Sequence, residues 1–375
     1  MKEPRRLMAE GVARGVFPGA VLYVQADGAI RLFEAWGQAD VFSHTPMTRE
    51  TVFDLASLTK PLATAPAVLK LVQEGRLGVD DRIGDLLADF RGTDKHSITL
   101  AELLSHCSGL PDHRAYFRKL ACLPADQRRP ALTRMLAAEP LVYRPGEQTV
   151  YSDLGYMVLR LVVETVSGRR LDRFVRAAVH APLGVDGLFF VDRFADRPSS
   201  LSPPAAFAAT EHCPRRGFLL KGLVHDDNAY EIGGIDGQSG LFGSAAAVAG
   251  FLQILLDIYQ EKRAGGVLAP DTVWQLLTPR RPGRRPFGFD VPETAGSSSG
   301  TLFSEFSAGH LGFTGTSAWM DISRRILVLL LTNRVHPDRA NTAIRTFRPE
   351  LHQAVMSALL DKAVGAGAGN PVRRG

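Results

Sequence analysis

Strand-forming residues lie at both ends of this chain, and a long helical middle separates them. Near the N-terminus, two apolar-rich runs at 19–25 and 30–36 flank a turn at Gly28 and predict a β-hairpin. Three further strand-like runs come late in the chain, at 286–291, 312–321 and 326–333. We therefore predict an α+β fold: an antiparallel sheet built from both chain ends and flanked by helices, with an inserted, mainly helical lobe.

Helical periodicity dominates the rest of the sequence. An opening helix is predicted at 4–14. Pro66 is predicted to kink the helix that follows residue 57 or to leave one of its backbone hydrogen bonds unmade. The other predicted helices are, in chain order, 99–106, 130–138, 153–167, 171–179, 245–260, 270–278 and 339–362. The expected division is an α/β sheet domain at 1–78 and 240–362, an inserted helical lobe at 79–239, and a disordered tail at 363–375.

Composition and charge exclude several classes of protein. The 375 residues are 45% hydrophobic and 22% charged, with a net charge of +5, as in an ordinary globular chain. No basic stripe with interleaved aromatics is present, so no nucleic-acid partner is expected. The sequence shows neither an apolar secretory segment nor a run near the roughly 20 apolar residues of a membrane span. Three cysteines without framework spacing favour a reducing compartment, and we expect a cytoplasmic protein without a membrane partner.

One serine–lysine pair has the spacing of a nucleophile and its base. Of the eight lysines, only Lys60 has a serine three residues earlier, Ser57, and the helical pattern places both on one face. A serine hydroxyl is a weak nucleophile until a neighbouring base takes its proton. A neutral lysine can be that base if its pKa falls far below about 10.4. The pair alone is weak evidence, because this spacing also arises by chance.

Two later stretches complete a pattern. Tyr151 is followed by a serine and Asp153 at the start of a helical segment, and residues 308–316 read AGHLGFTGT. The order S-x-x-K, Y-x-N/D and H/K-x-G resembles the class C β-lactamases, and the DD-peptidases and family VIII carboxylesterases that share their fold. Further similar segments are FDLASLTKP at 53–61, LLSHCSGLP at 103–111, the RPG that precedes the tyrosine at 144–146, and the stretch from VHDDNA to GLF at 224–242.

The resemblance implies a role for each matching position. Ser57 would be the acylated nucleophile, Lys60 would share in removing its proton, and Tyr151 would carry protons to the leaving group and from the hydrolytic water. The backbone N–H groups of Ser57 and Phe313 would form the oxyanion hole. The substrate-binding positions would be Asp153, His310, Gly312, Leu110 and Gln238.

Two positions differ from the family pattern in ways that bear on the substrate. His310 replaces a lysine and would keep only a weaker, pH-dependent cation. Asp153 places a negative charge where the family has an amide, and beside Lys60 it could instead hold the lysine protonated. Both changes weaken recognition of a substrate carboxylate, so we expect a carboxylesterase-like serine hydrolase of a small-molecule ester, amide or lactam. The alternatives are DD-peptidase-like or weak β-lactamase activity, and a non-catalytic binding protein with a degenerate site.

No cofactor or metal is expected from the remaining motifs. His225 precedes two aspartates, but no second histidine or cysteine stands at ligand spacing. The glycine-rich loop at 233–243 lacks the G-K-[ST] of phosphate-binding loops, and we expect it to line a cleft with Gln238 and Ser239 at the rim. His106 is expected to be structural. The sequence does not set the oligomeric state.

Overall fold

The computed structural model describes residues 1–195, 206–264, 266–280, 284–293 and 296–367. The strands in these ranges are β1 (Gly19–Ala26), β2 (Ala29–Asp40), β3 (Thr45–Pro46), β4 (Phe53–Asp54), β5 (Leu188–Phe190), β6 (Ala209–Cys213), β7 (Phe218–Lys221), β8 (Leu241–Gly243), β9 (Ser307–Leu311), β10 (Ser317–Asp321) and β11 (Ile326–Thr332).

Six of these strands form one antiparallel sheet in the order β3-β2-β1-β11-β10-β9. The first and last strands of the chain lie side by side at its centre, with Ala20 opposite Thr332 and Ala26 opposite Ile326. The predicted sheet from both chain ends is therefore confirmed. Two smaller sheets complete the fold, one of β4, β8 and β5 and one of β6 and β7.

Of the predicted late strands, one is absent and another is shorter than predicted. Residues 286–291 form no strand and make a single bridge, between Asp290 and Gly309, because Gly288 has a positive φ of 90° that breaks the extended backbone. The predicted strand at 312–321 begins only at Ser317. The residues before it form the turn of the β9–β10 hairpin, where Gly315 has a φ of 107°.

The helices are α1 (Lys2–Ala13), α2 (Ala65–Gln73), α3 (Ile83–Leu86), α4 (Leu100–Leu104), α5 (Phe117–Leu120), α6 (Ala125–Ala138), α7 (Asp153–Ser167), α8 (Leu171–Val175), α9 (Ala181–Leu183), α10 (Asp227–Glu231), α11 (Ala245–Tyr259), α12 (Pro270–Leu277) and α13 (Ile344–Gly367). α7 has the predicted bounds because Ser152 caps it, accepting a hydrogen bond from the N–H of Gly155 at 3.2 Å. No helix of the described residues has the length and apolarity needed to cross a bilayer.

Other helices differ from their predicted bounds. α6 begins at Ala125 and contains Pro130 rather than starting there. The predicted helix at 171–179 is α8 followed by a π-helical turn at Arg176–His180. A second π-helical turn, at Lys60–Thr64, precedes α2, so Pro66 lies in the first turn of α2, where proline is tolerated.

The C-terminal end of the chain also departs from expectation. The last helix, α13, begins later than predicted and extends to Gly367, into the segment expected to be disordered. The rest of the predicted tail, residues 368–375, lies outside the described residues.

The central sheet is buried on both faces. Along β11, Leu327, Leu329 and Leu331 belong to one hydrophobic cluster, whereas the alternate residues Val328 and Leu330 belong to another. Residues of α1 and α13 contribute to the second cluster, and the helices of the middle segment contribute to the first. The first cluster is continuous from the sheet into the helical segment, so these helices pack directly against the strands. The division of the chain at residues 79 and 239 remains a prediction.

Candidate active site

A cavity of about 770 Å³ opens where the end of β9, the start of α7 and the glycine-rich loop meet. Among the predicted site residues, those that line it are Ser57, Tyr151, Asp153, Gln238, His310, Gly312 and Phe313. Lys60 is completely buried behind the wall. Three separate stretches of the chain therefore meet at one cavity.

Leu110 does not belong to this site. Its side chain is fully buried in the main hydrophobic cluster, and it is absent from the cavity wall. The substrate-binding role implied for Leu110 is therefore wrong, because a fully packed leucine stabilises the core and offers no surface to a ligand.

The nucleophile segment begins with a strained bend. Ala56 has a positive φ of 48°, a conformation that is costly for a residue with a Cβ and is often found at functional sites. The buried carboxylate of Asp54 holds the bend, accepting hydrogen bonds from the N–H of Ala56 at 2.9 Å and of His225 at 2.7 Å. Ser57 follows at the start of a helical turn, where backbone N–H groups lack helical partners.

The β9–β10 turn is bound to this bend by two threonine hydroxyls. Thr314 Oγ1 donates to the carbonyl of Asp54 at 2.7 Å, and Thr316 Oγ1 donates to that of Leu55 at 3.2 Å. A Cβ on Gly312 would lie 2.0 Å from Thr316 Oγ1 and 2.7 Å from the Leu55 carbonyl oxygen. Only glycine therefore fits at residue 312, because the two protein segments approach each other so closely there.

Lys60 is surrounded by oxygen atoms. Its Nζ donates to Asp153 Oδ1 at 2.7 Å, to Ser57 Oγ at 3.1 Å and to the carbonyl of Gln238 at 3.2 Å. It also lies 4.8 Å from the centre of the Tyr151 ring, a cation–π distance. An ammonium group has three N–H donors, and each finds an acceptor here.

These contacts keep Lys60 charged. Burial alone would lower the pKa of Lys60, but Asp153 and then Tyr151 outweigh burial, and the pKa lies above its ordinary value. Burial works against the ionised form of Asp153 as well, yet Lys60 lowers its pKa to about 2. Of the two alternatives that the sequence left open, the structure favours the protonated lysine over the neutral base.

Tyr151 lies beside Lys60 and Asp153 as a neutral phenol. Burial raises the pKa of Tyr151, although hydrogen bonds and charge from Lys60 act in the opposite direction. Its ring packs between two histidines, with centroids 4.6 Å from His106 and 5.7 Å from His310. His106 is itself fixed, because its Nδ1 accepts the N–H of Ser152 at 3.0 Å. His106 thus positions the tyrosine.

His310 is not a cation. Its Nδ1 lies 2.7 Å from the carbonyl oxygen of Leu311, so Nδ1 carries a proton and donates to that oxygen. Burial, with the charge of Lys60, lowers the pKa of His310 to about 3. The expected pH-dependent cation at this position is therefore wrong, since the imidazole stays neutral at physiological pH.

Several residues of the cavity carry no sequence motif. His113 Nδ1 lies 3.8 Å from Asp153 Oδ2, and Asp226 also lines the cavity. Arginines also line the wall, and four come from the segment that joins β11 to α13 and from α13 itself: Arg334, Arg339, Arg345 and Arg348. None of these residues has a role predicted from the sequence, although Asp226 lies in the family-like segment at 224–242, because the fold brings them to the cavity from distant parts of the chain.

Comparison with known proteins places this geometry in context. Residues 4–352 match the Beta-lactamase family. The chain belongs to that family. A Beta-lactamase family relative from Salmonella agona, provisionally named a D-alanyl-D-alanine carboxypeptidase, is 31% identical over 364 residues, covering 88% of this chain and 81% of the relative.

Solved structures share the Beta-lactamase family fold. The hydrolase EstCE1, described as having promiscuous acyltransferase activity, is 24% identical with a TM-score of 0.68, covering 93% of this chain and 98% of its own. An octameric penicillin-binding protein homologue from Pyrococcus abyssi is 21% identical with a TM-score of 0.72, covering 96% and 77%. The predicted resemblance and the β-lactamase/transpeptidase-like fold are confirmed, and the chain belongs to a superfamily of serine hydrolases.

Proposed function

We propose that this protein forms an acyl-enzyme at Ser57 and hydrolyses small esters or amides, as a carboxylesterase does. The observation that carries the proposal is the contact of 3.1 Å between Ser57 Oγ and Lys60 Nζ at the wall of a cavity large enough for a small molecule. Tyr151 completes the set, so a nucleophile and two proton carriers lie together.

The resting protonation states of Lys60 and Tyr151 determine the order of the proton transfers. Lys60 and Tyr151 both hold their protons at rest, so the pair has to lose one before it can accept the proton of Ser57. Oγ then attacks the carbonyl carbon, and the pair returns the proton to the leaving alcohol or amine. In deacylation the pair takes a proton from water as the water attacks the acyl carbon, and Oγ regains it. The rate should therefore rise with pH.

The backbone supplies the oxyanion site in this proposal. The N–H groups of Ser57 and Phe313 lie on the two segments that the Thr314 and Thr316 hydrogen bonds hold together. Donors fixed before the reaction stabilise the developing negative charge without reorganising, and one such donor is worth about 10²–10³ in rate.

Two features support uncharged esters over substrates with a carboxylate at the β9 edge. His310 is neutral where the family pattern has a lysine, so no cation faces a ligand from this strand. Asp153 is ionised and borders the cavity, and it repels an anionic group placed near Ser57.

A second candidate, a DD-peptidase-like or weak β-lactamase activity, is supported by the arginines. Arg348 donates to the carbonyls of Gly312 at 3.2 Å and Thr316 at 3.0 Å, and it has no carboxylate partner among the described residues. Burial, with Arg334 nearby, lowers its pKa to about 9. The two guanidinium groups of Arg334 and Arg348 repel each other, and a substrate carboxylate beside them would offset this repulsion. The name of the Salmonella relative points to the same activity.

A two-part experiment tests the proposal. Intact-mass measurement after treatment with a fluorophosphonate probe should show one adduct on the wild-type chain and none on Ser57→Ala. Turnover of p-nitrophenyl butyrate is then compared with that of a D-alanyl-D-alanine peptide and a chromogenic cephalosporin, and we expect the ester to be preferred. Preference for the peptide or the lactam would select the second candidate. Absence of an adduct on the wild-type chain would leave a non-catalytic binding protein as the function.

A further inference from the structure

Among the residues that line the cavity, the neighbours Gln238 and Ser239 each have a buried polar atom without a hydrogen-bond partner in the described part of the chain. Gln238 is only 1% exposed, and its Nε2 donates to Asp226 Oδ1 at 3.2 Å. Because a carboxylate oxygen only accepts, the amide nitrogen has to face Asp226, and Oε1 is left as the free end. Within the described residues Gln238 Oε1 finds no partner, nor does the hydroxyl of the adjacent, buried Ser239.

The carboxylate of Asp226 has no cationic partner in the described part of the chain. Its Oδ1 accepts the N–H of Ala229 at 2.7 Å and the amide of Gln238, and no lysine or arginine pairs with it. Its neighbour Asp227 differs, because Arg215, Arg216 and Arg339 all form ion pairs with that carboxylate. Burial and the charge of Asp153 raise the pKa of Asp226 to about 6. A positive charge is therefore missing beside Asp226.

These acceptors lie next to the nucleophile. The backbone carbonyl of Gln238 accepts from Lys60 Nζ at 3.2 Å, and Lys60 in turn contacts Ser57 at 3.1 Å. Asp226, Ser239 and Ser57 line the same cavity. A substrate bound at Ser57 therefore shares one cavity with these residues.

Buried acceptors without donors are costly, and a carboxylate without a counter-charge is more so. A primary ammonium group meets both needs, because it brings one positive charge and three N–H donors. We propose that Asp226, Gln238 Oε1 and Ser239 Oγ form a subsite for a substrate ammonium group. The preferred esters or amides then carry a free amine close to the scissile carbonyl, as aminoacyl compounds do. This inference rests on the proposed acyl-enzyme chemistry at Ser57.

The subsite has a defined dependence on pH. The titratable groups that act on Asp226 are Asp153 at the start of α7, His113 in the loop between α4 and α5, and Asp236 in the glycine-rich loop. Ionised Asp226 attracts an ammonium, so binding should tighten as the pH rises through about 6. Protonated His113 repels an ammonium, and because its hydrogen bond to Asp153 raises the pKa of His113, this repulsion lasts to higher pH than the ionisation of Asp226. Binding should weaken again above about 8, where an α-amino group loses its proton.

Matched substrates test the subsite on the wild-type protein. We would measure kcat/KM at pH 7 for the methyl esters of D- and L-alanine, their N-acetyl derivatives, and methyl isobutyrate, in which a methyl group replaces the amine. One alanine ester should exceed methyl isobutyrate by about 10- to 100-fold, the usual value of a hydrogen-bonded charge. Its KM should fall between pH 5 and 7, whereas that of methyl isobutyrate should not follow this trend. Equal or faster turnover of methyl isobutyrate would overturn the subsite.

A pair of adjacent variants assigns the effect. Asp226→Asn keeps an acceptor for Ala229 but removes the charge, and the preference for the amine should fall by about tenfold or more. Asp227→Asn removes a neighbouring carboxylate that already has cationic partners. The ratio of kcat/KM for the alanine methyl ester to that for methyl isobutyrate should therefore not change. Retention of the preference in Asp226→Asn would contradict the assignment. If the fluorophosphonate probe does not label the wild-type chain, the proposed acyl-enzyme chemistry is refuted. Failure of the ammonium subsite and failure of the hydrolase are therefore distinguishable.

Discussion

Replacing Asp153 with asparagine tests the electrostatics of the site most directly. The Asp153→Asn change leaves an oxygen that can still accept from Lys60 Nζ but removes the negative charge 2.7 Å away. With an effective dielectric constant of about 20, two unit charges at this separation attract by about 6 kcal/mol. Desolvation of the pair offsets much of that, and breaking a buried pair costs about 3–5 kcal/mol in practice.

The lower end of that range is expected for this variant. Asp153 is 20% exposed, and Lys60 keeps Ser57 and Gln238 as acceptors and can also release its proton. Urea unfolding at pH 7 should therefore show a loss of about 3 kcal/mol. Because the pKa of Asp153 is about 2 in the folded protein, the wild-type advantage should be present at pH 7 and disappear as the pH falls from 4 towards 2.

The same variant makes a kinetic prediction. Asp153 raises the pKa of Lys60 and also that of Tyr151, so either group loses its proton more readily once the charge is gone. The rising limb of kcat/KM for p-nitrophenyl butyrate against pH should therefore move to lower pH, whichever group is the base. Asp227→Asn serves as a control that leaves the limb in place. An unmoved limb in Asp153→Asn, with unfolding unchanged within about 0.5 kcal/mol, would refute the reasoning.

Three further variants separate chemistry from packing. Tyr151→Phe should lower kcat by about 10²–10⁴ with little change in urea unfolding, and a near-wild-type rate would remove its role as proton carrier. His310→Lys should speed acylation by benzylpenicillin, followed by intact mass, because it supplies the cation that the neutral imidazole lacks; an unchanged rate would contradict this. Gly312→Ala should cost about 1–3 kcal/mol in urea unfolding, since its Cβ would meet Thr316 Oγ1 at 2.0 Å. Gly250→Ala in α11, with no atom within 4 Å of its Cβ, is the matched control and should not destabilise the fold.

The architecture could be predicted because its signals are local. The β1–β2 hairpin has a turn glycine between apolar runs, and α7 has a capping serine at Ser152. The predicted strands failed where positive-φ glycines interrupt an apolar run, as at Gly288 and Gly315. Hydropathy does not report backbone dihedral angles, so a strand and a turn with similar composition look alike.

For the candidate site, only the residues that belong to sequence motifs could be predicted. Ser57, Lys60 and Tyr151 stand at recognisable spacings, and the structure brings all three together. The charge states could not be predicted, because they depend on burial and on partners from other segments. His310 illustrates this limit. A lone histidine in sequence suggests a cation, whereas burial and the charge of Lys60 lower the pKa of His310 and favour a neutral ring.

The threonine hydrogen bonds between the β9–β10 turn and the nucleophile bend have a consequence for biosynthesis. Ser57 leaves the ribosome early, but the partners that hold its bend, Thr314 and Thr316, are synthesised more than 250 residues later. A nascent chain cannot assemble the centre until most of its length has been translated. Chains that stop prematurely before this turn should therefore carry the nucleophile yet remain inert.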